Sequence, residues 1–296
     1  MKINELLLEG RKKLSDLTEG ADSSISALDS EVLLAYVLGC SREELLRDAD
    51  SCEVDDIDHK LFLKYCIEVA GGRPVAYVTG KKEFYGLDFY IDERVLIPRP
   101  ETEMIVDEVL GWLGGRSDET REKEVRLLDV GTGSLNITTA IVRKHGHVFA
   151  HAVDISDEAL EVAQMNREAH GLETHVQLYQ SDLLSAVEET DFDVIVTNLP
   201  YIGEDMHRNL DSSVERFEPS QALFGGSDGL ELYKKLIQQI LDKNVRFDLL
   251  VGEFGYGQAE AVEEMLNKFF DQDSGCLWEV KKDLAGIPRI FVVKKQ

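Results

Sequence analysis

Leu128-Asp129-Val130-Gly131-Thr132-Gly133-Ser134 decides the fold. The apolar run Val125–Val130 has the length of a buried strand, and it feeds a two-glycine turn that opens a helix running through Ile141. Outward from this unit the same alternation repeats. Strands are expected at His147–Val153, Val176–Tyr179, Phe192–Thr197 and Phe247–Val251, with helices at Asp157–His170, Leu230–Leu241 and Gln258–Phe270. Near-continuous apolar strands separated by helices imply an α/β fold, a parallel sheet covered on both faces. Leu277–Val280 and Arg289–Val293 have no helix between them and predict an antiparallel hairpin at one sheet edge.

Upstream the texture differs. Residues 1–73 read as helix after helix: Ile3, Leu6, Leu7, Gly10, Leu14 and Leu17 share one face, and Leu61, Phe62, Tyr65, Ile67 and Val69 continue the pattern until Gly71-Gly72 and Pro74. Ser41 with Glu44 forms a capping box. Residues 74–96 read as a linker with a β-hairpin, its aromatic arms flanking Gly86. Pro100 suits the first position of a helix running towards Trp112, and the polar stretch Gly114–Lys123 reads as a surface loop. The expected organisation is a small helical domain at 1–73, the linker, and an α/β domain at 97–296.

Composition narrows the function classes. The 296 residues carry a formal charge of −25, which repels phosphate backbones and disfavours nucleic acid as a general partner. It leaves room for a basic protein partner. The cysteines Cys40, Cys52, Cys66 and Cys276 form no C-x-x-C pair, so no metal site is expected and reduced thiols in a cytoplasmic protein are. No apolar run is long enough to span a bilayer, and no signal peptide is read at the N-terminus. The expected state is a monomer.

Two constellations carry chemistry. In an open α/β sheet, ligands bind at the carboxyl ends of the strands. There, Gly131 and Gly133 let the backbone approach a ligand and tolerate positive φ, with Thr132 and Ser134 beside them. Asp154 ends the next strand, where a carboxylate can accept both hydroxyl protons of a ribose. The turn alone leaves the nucleotide open. Asn136 stands where a dinucleotide fingerprint wants its third glycine, and no Walker lysine follows, so a ligand without a pyrophosphate fits better. S-adenosylmethionine is such a ligand. Asp182 either approaches the adenine or simply caps a loop or helix.

The second constellation is Asn198-Leu199-Pro200-Tyr201, which the strand ending at Thr197 brings to the same rim. It suits methyl transfer to a planar nitrogen, a poor nucleophile because its lone pair is delocalised. The Asn198 side-chain carbonyl and the Leu199 backbone carbonyl can each accept one N–H of the target, turning its lone pair towards a methyl donor. Pro200 stiffens the loop and Tyr201 offers an aromatic face. Orientation of this kind reaches about 7–11 kcal/mol in favourable systems.

These residues resemble the release-factor glutamine N5-methyltransferases, the PrmC/HemK group. Besides Asp129–Ser134 and the tetrapeptide, the resemblance rests on three strings: Pro74–Gly80 with Glu83–Leu87, Leu96-Ile97-Pro98-Arg99-Pro100-Glu101-Thr102-Glu103, and Glu218–Leu230. The resemblance implies a seven-stranded Rossmann-like domain that uses S-adenosylmethionine. Its substrate would be the glutamine amide in the Gly-Gly-Gln motif of class-1 peptide chain release factors, which act in translation termination. By position it places Gly131, Gly133, Asp154 and Leu183 around the cofactor, and Thr132, Ser134, Leu135, Asp182 and Asn198 are expected beside them. Asn198 to Tyr201 fall at the glutamine, with Arg99 and Glu101 on the substrate side, and the helical N-terminus becomes the recruiting domain. This chain departs from the family at Leu199, where a second proline is usual, and at Leu135, where the cofactor loop usually has glycine. The first departure implies a less rigid loop; the second puts a side chain where a ligand would pass.

Two other readings stay open. The form Asn-Leu-Pro-Tyr also suits an N6-adenine methyltransferase acting on RNA or DNA, which must take its base out of the stack. A decayed, non-catalytic methyltransferase fold is the other, raised by Leu135.

Overall fold

The computed structural model describes residues 1–17, 23–116, 123–204, 211–271 and 274–296. The expected loop at Gly114–Lys123 lies mostly outside them. The chain divides into two compact units, Met1–Lys81 with Asp211–Phe217, and Lys82–Leu210 with Glu218–Gln296.

The first unit is helical, with α1 (Ile3–Leu17), α2 (Ser23–Leu38), α3 (Arg42–Arg47), α4 (Asp56–Ala70) and α5 (Val75–Thr79). Its core collects Ile3, Leu6, Leu7 and Leu14 from α1, Leu33 and Leu34 from α2, and Phe62 and Cys66 from α4. Gly10 belongs to that face because the helices touch there: a Cβ on it would overlap the Phe62 ring and lie 2.7 Å from Ser30 Oγ. Ile67 departs from expectation and is 51% exposed, since the buried side of α4 runs through Phe62, Cys66 and Ala70. The capping box at Ser41 and Glu44 forms, with both reciprocal hydrogen bonds present. A short helix, Ser212–Phe217, joins this unit, with Arg216 donating to the Gly71 carbonyl at 3.4 Å.

From Lys82 the second unit carries a hairpin of β1 (Lys81–Phe84) and β2 (Leu87–Tyr90), with Lys81 the last residue of the first unit. Its two turn residues, Tyr85 and Gly86, have φ of 54° and 75°, the mirror-image turn whose twist matches the flanking strands. Pro100 opens a 3-10 turn that leads into α6 (Glu103–Gly114). The main sheet holds seven strands in the order β5-β4-β3-β6-β7-β9-β8. They are β3 (Val125–Val130), β4 (Val148–Asp154), β5 (Val176–Gln180), β6 (Val194–Thr197), β7 (Leu249–Glu253), β8 (Cys276–Lys282) and β9 (Pro288–Lys295). The pairs among β3 to β7 are parallel, and the two last strands form the expected antiparallel edge. All nine residues of β6 and β7 are buried, which is why Val194-Ile195-Val196 and Leu249-Leu250-Val251 are apolar without alternation.

The largest shift from expectation is in β7. It starts and ends two residues later than the apolar run suggests, and a carboxylate, Glu253, closes it. β6 starts at Val194 because Asp191 makes only an isolated bridge, to Arg246. Among the described residues no helix is long and apolar enough to cross a membrane.

Register places the site. The chain moves outward from β3 to β4 and β5 and then returns on the other side to β6, so the crevice opens at the carboxyl ends of β3 and β6. Val130 pairs with Val153 on one side and Thr197 on the other, and Thr197 pairs with Gly252. The residues that follow those partners are Asp154, Gly131, Asn198 and Glu253, which therefore stand in one row along the rim.

Candidate active site

A cavity of about 480 Å³ opens above this row. Gly131, Thr132, Gly133, Ser134, Asp154, Asp182, Leu183, Arg99, Asn198, Leu199 and Pro200 all line it, so most of the residues expected at the site meet in one place. Leu135, Tyr201 and Glu101 are not in its wall.

The glycine turn is built as the residue types require. Gly131 and Gly133 take φ of 76° and 53°. A Cβ on Gly133 would meet nothing within 4 Å, so the turn presents bare backbone to open space, while one on Gly131 would lie 3.0 Å from Leu199 Cδ2. Asp154 accepts the backbone N–H groups of Gly133 and Ser156, each at 3.0 Å. Burial raises its pKa against those two donors. Asp129, just below the turn, accepts hydroxyl protons from Thr132 and Thr138 at 2.7 Å each, and burial pushes it up to about 6. Asp182 faces the cavity while ion-paired to Lys235 at 2.6 Å.

Leu135 sits differently from what its glycine-like position implies. Its side chain is fully buried and absent from the cavity wall, so it does not obstruct a ligand. The cost lies in its backbone: at φ 67° it is a left-handed residue capping the helix Asn136–Lys144. Such a conformation costs roughly 1–2 kcal/mol for a residue with a Cβ. Leu183, with φ 52°, is a second non-glycine residue held this way beside the cavity. Leu135→Gly relieves the backbone but removes a buried leucine, a loss of about 2–5 kcal/mol on truncation. The expected result is a protein less stable by about 1–3 kcal/mol in urea titration. Cofactor affinity should stay within a few fold; a gain of tenfold or more would show that the side chain obstructs the site after all.

Leu199 also departs from the expectation of a looser loop. Its side chain is 4% exposed and belongs to the core of the second unit. Its N–H, which a proline would lack, donates to Tyr233 Oη at 3.0 Å, and Tyr233 in turn donates to the Glu253 carbonyl, with the Leu199 carbonyl 3.3 Å away. Pro200 and Tyr201 are held by backbone contact with the segment that carries Gly225 and Gly229. Ile202 donates to the Leu223 carbonyl, Gly225 donates to that of Ile202, each at 3.0 Å, and Gln258 donates to the Tyr201 carbonyl at 2.9 Å. The Tyr201 ring does not form a platform in the cavity wall: its hydroxyl donates to Glu253 Oε1 at 3.2 Å. Glu101 receives Arg289 at 3.4 Å, whereas Arg99 reaches the cavity wall and pairs with the buried Glu218. Glu218 also accepts the Ile97 N–H at 3.3 Å, tying the Ile97–Glu103 segment to the stretch that leads into Pro219 of the cavity wall.

Sequence reasoning missed Thr102, Glu253 and Tyr233. Thr102 donates to Glu253 Oε2 at 2.6 Å, and Asn198 Nδ2 donates to Thr102 Oγ1 at 3.2 Å. The available signals were Thr102 within the Ile97–Glu103 string and an acidic residue at the carboxyl end of a strand. Burial pushes Glu253 up to about 7 against the hydrogen bonds from Thr102 and Tyr201. Its folded pKa exceeds its unfolded one, so the folded state holds the extra proton between pH about 4.5 and about 7. Stability must therefore fall as pH rises through that window, by an amount of order 3 kcal/mol from this group. Glu253→Gln is expected to flatten that part of the pH–stability curve; a slope unchanged by the substitution would exclude Glu253 as its source.

The chain has relatives over nearly its whole length. Residues 5–80 match the PrmC N-terminal domain and residues 117–218 the Methyltransferase small domain. A release factor glutamine methyltransferase of Koribacter versatilis (strain Ellin345) is 37% identical over 280 residues, with 94% of each chain covered. One of Bacillus subtilis (strain 168) is also 37% identical, covering 93% of this chain and 92% of its own. Among solved structures, the hMettl16 catalytic domain in complex with MAT2A 3'UTR hairpin 6 superposes with a TM-score of 0.56. That likeness covers 75% of this chain and 80% of the other at 16% identity, and so speaks to the fold alone. Together with the match over nearly the whole chain, the cavity at the ends of β3 and β6 identifies this chain as a member of the release factor glutamine methyltransferase family.

Proposed function

We propose that this chain methylates the side-chain amide nitrogen of the glutamine in the Gly-Gly-Gln motif of class-1 peptide chain release factors, with S-adenosylmethionine as donor. The observation that carries the reading is the row Asp154, Gly131, Asn198, which strand register sets side by side on one cavity, as a nucleoside site beside an amide acceptor requires.

The residues present suit S-adenosylmethionine. Bare backbone at Gly133 leaves room for the ligand, Asp154 keeps lone pairs for ribose hydroxyls, and Asp154, Glu158 and Asp182 in the wall favour a positively charged ligand. When bound, this cofactor supplies an electrophilic methyl group on a sulfonium.

Asn198 Oδ1 and the Leu199 carbonyl accept the two N–H groups of the glutamine amide and turn its lone pair out of conjugation. Tyr233 fixes the Leu199 peptide, and Pro200 fixes the loop. No strong base is required before transfer, since the amide proton becomes acidic once the nitrogen is alkylated. The formal charge of −25 suits a basic protein partner, and the helical N-terminal region is the part we assign to recruiting it. The enzyme is proposed to work as a cytoplasmic monomer.

The test supplies labelled S-adenosylmethionine with a release factor and, separately, with ribosomal RNA. Label in the release factor alone is expected. Label in RNA alone would overturn the glutamine reading in favour of the adenine one, and no cofactor binding at millimolar concentration would indicate a decayed fold.

A further inference from the structure

Asn198 can serve as an acceptor only if its carboxamide faces the cavity with oxygen rather than nitrogen. The two ends of a carboxamide are nearly the same shape, so something must choose between them. The chain of hydrogen bonds that ends on β7 makes that choice. Ionised Glu253 has no proton to give and can only accept. It takes one proton from Tyr201 Oη on Oε1 and one from Thr102 Oγ1 on Oε2, the latter at 2.6 Å, the length of a charge-assisted bond. Thr102 has only that one proton. Having donated it, its oxygen can only accept, and the group 3.2 Å away must be Asn198 Nδ2. Oδ1 is then left for the cavity, whose wall Asn198 forms.

We propose that Thr102 and Glu253 are positioning residues for methyl transfer, a relay that sets which end of the Asn198 carboxamide meets the methyl acceptor. The inference rests on the reading of Asn198 as the acceptor of a substrate N–H. Thr102 is 2% exposed and Glu253 is 2% exposed, so water does not compete for these bonds.

Protonation of Glu253 undoes the choice. A neutral carboxyl can donate to Thr102 Oγ1, which frees the threonine proton for Asn198 Oδ1 and lets the amide turn its nitrogen to the cavity. The charged and titratable groups around Glu253 are Tyr201, Tyr233, Glu101 and Arg289, with Thr102 the neutral partner. Both tyrosines have pKa values raised by burial and stay neutral donors through the working range, so the carboxyl is the group that changes.

The test pairs an activity-free readout with kinetics, using Thr102→Val, Thr102→Ser and Glu253→Gln in the full chain. The Asn198 side-chain amide resonances, assigned with Asn198→Asp, are expected to shift in Thr102→Val and to remain in Thr102→Ser. With release factor and S-adenosylmethionine, kcat should fall about ten- to thirtyfold in Thr102→Val and recover in Thr102→Ser, while cofactor affinity stays within a few fold. Wild-type kcat should fall as pH drops below about 7, and Glu253→Gln should lose that acid limb. Unchanged Asn198 resonances in Thr102→Val would overturn the relay, as would a normal kcat in that variant. Failure of the wild-type enzyme to methylate any release factor would instead sink the proposed function, and the resonance arm would still decide the relay.

Discussion

Asn198→Ala is expected to lower kcat by about 10²–10³-fold while leaving S-adenosylmethionine affinity within a few fold, the scale seen when one preorganised polar contact to a reacting group is removed. The expectation follows from placement. Asn198 is the first residue beyond β6, one strand over from the glycine turn, and its side chain is tied back to Thr102 rather than to the turn or to Asp154. Truncation therefore removes the acceptor for the methyl-accepting nitrogen and spares Gly133, Asp154 and the rest of the nucleoside end. Single-turnover rates and calorimetric binding separate the two effects. A variant turning over near the wild-type rate would refute the mechanism.

Gly225→Ala is expected to abolish more than about 99% of activity with the protein still folded. A single methyl group there would overlap the Pro200 carbonyl oxygen and lie 2.7 Å from the Gly229 carbonyl oxygen, both of them backbone atoms that cannot swing aside. Relief requires the 200–203 segment to move away from Leu223–Gly225, breaking the Ile202 and Gly225 backbone bonds that hold the tetrapeptide. A shift of about 1 Å at a reacting centre is enough for a hundredfold loss. Circular dichroism should stay near the wild-type trace, with a midpoint lower by several degrees for a loss of about 1–3 kcal/mol. Wild-type activity in a folded Gly225→Ala protein would mean that this clamp does not set the loop.

Local pattern carries far in this chain. The apolar residues of β6 and β7 are buried along the whole of each strand and stand out as hydrophobic stretches, and the capping box at Ser41 depends on residues three apart. The glycine turn, Asp154 and Asn198 are legible because strand ends in a doubly wound sheet must converge. What escapes the sequence depends on distant partners. Glu253 looks like a strand-ending acid, yet it is buried and accepts a hydrogen bond from Thr102, 151 residues earlier. Tyr233 looks like one more aromatic on the buried face of a helix, and only the fold puts its hydroxyl on the Leu199 peptide. The sign of the Leu135 effect was hidden for the same reason. Whether a side chain at a glycine-like position points to the ligand or into the core is a property of φ and of the helix that follows.

The central claim is that Asn198 presents a glutamine amide for methylation, and mapping the modified atom tests it most directly. A class-1 release factor treated with the protein and S-adenosylmethionine is digested and its peptides sequenced by mass spectrometry. The account predicts one added methyl on the glutamine of Gly-Gly-Gln, on the side-chain nitrogen, absent when Asn198→Ala replaces the wild type. A methyl group on another residue, or on that glutamine at equal yield with Asn198→Ala, would contradict it.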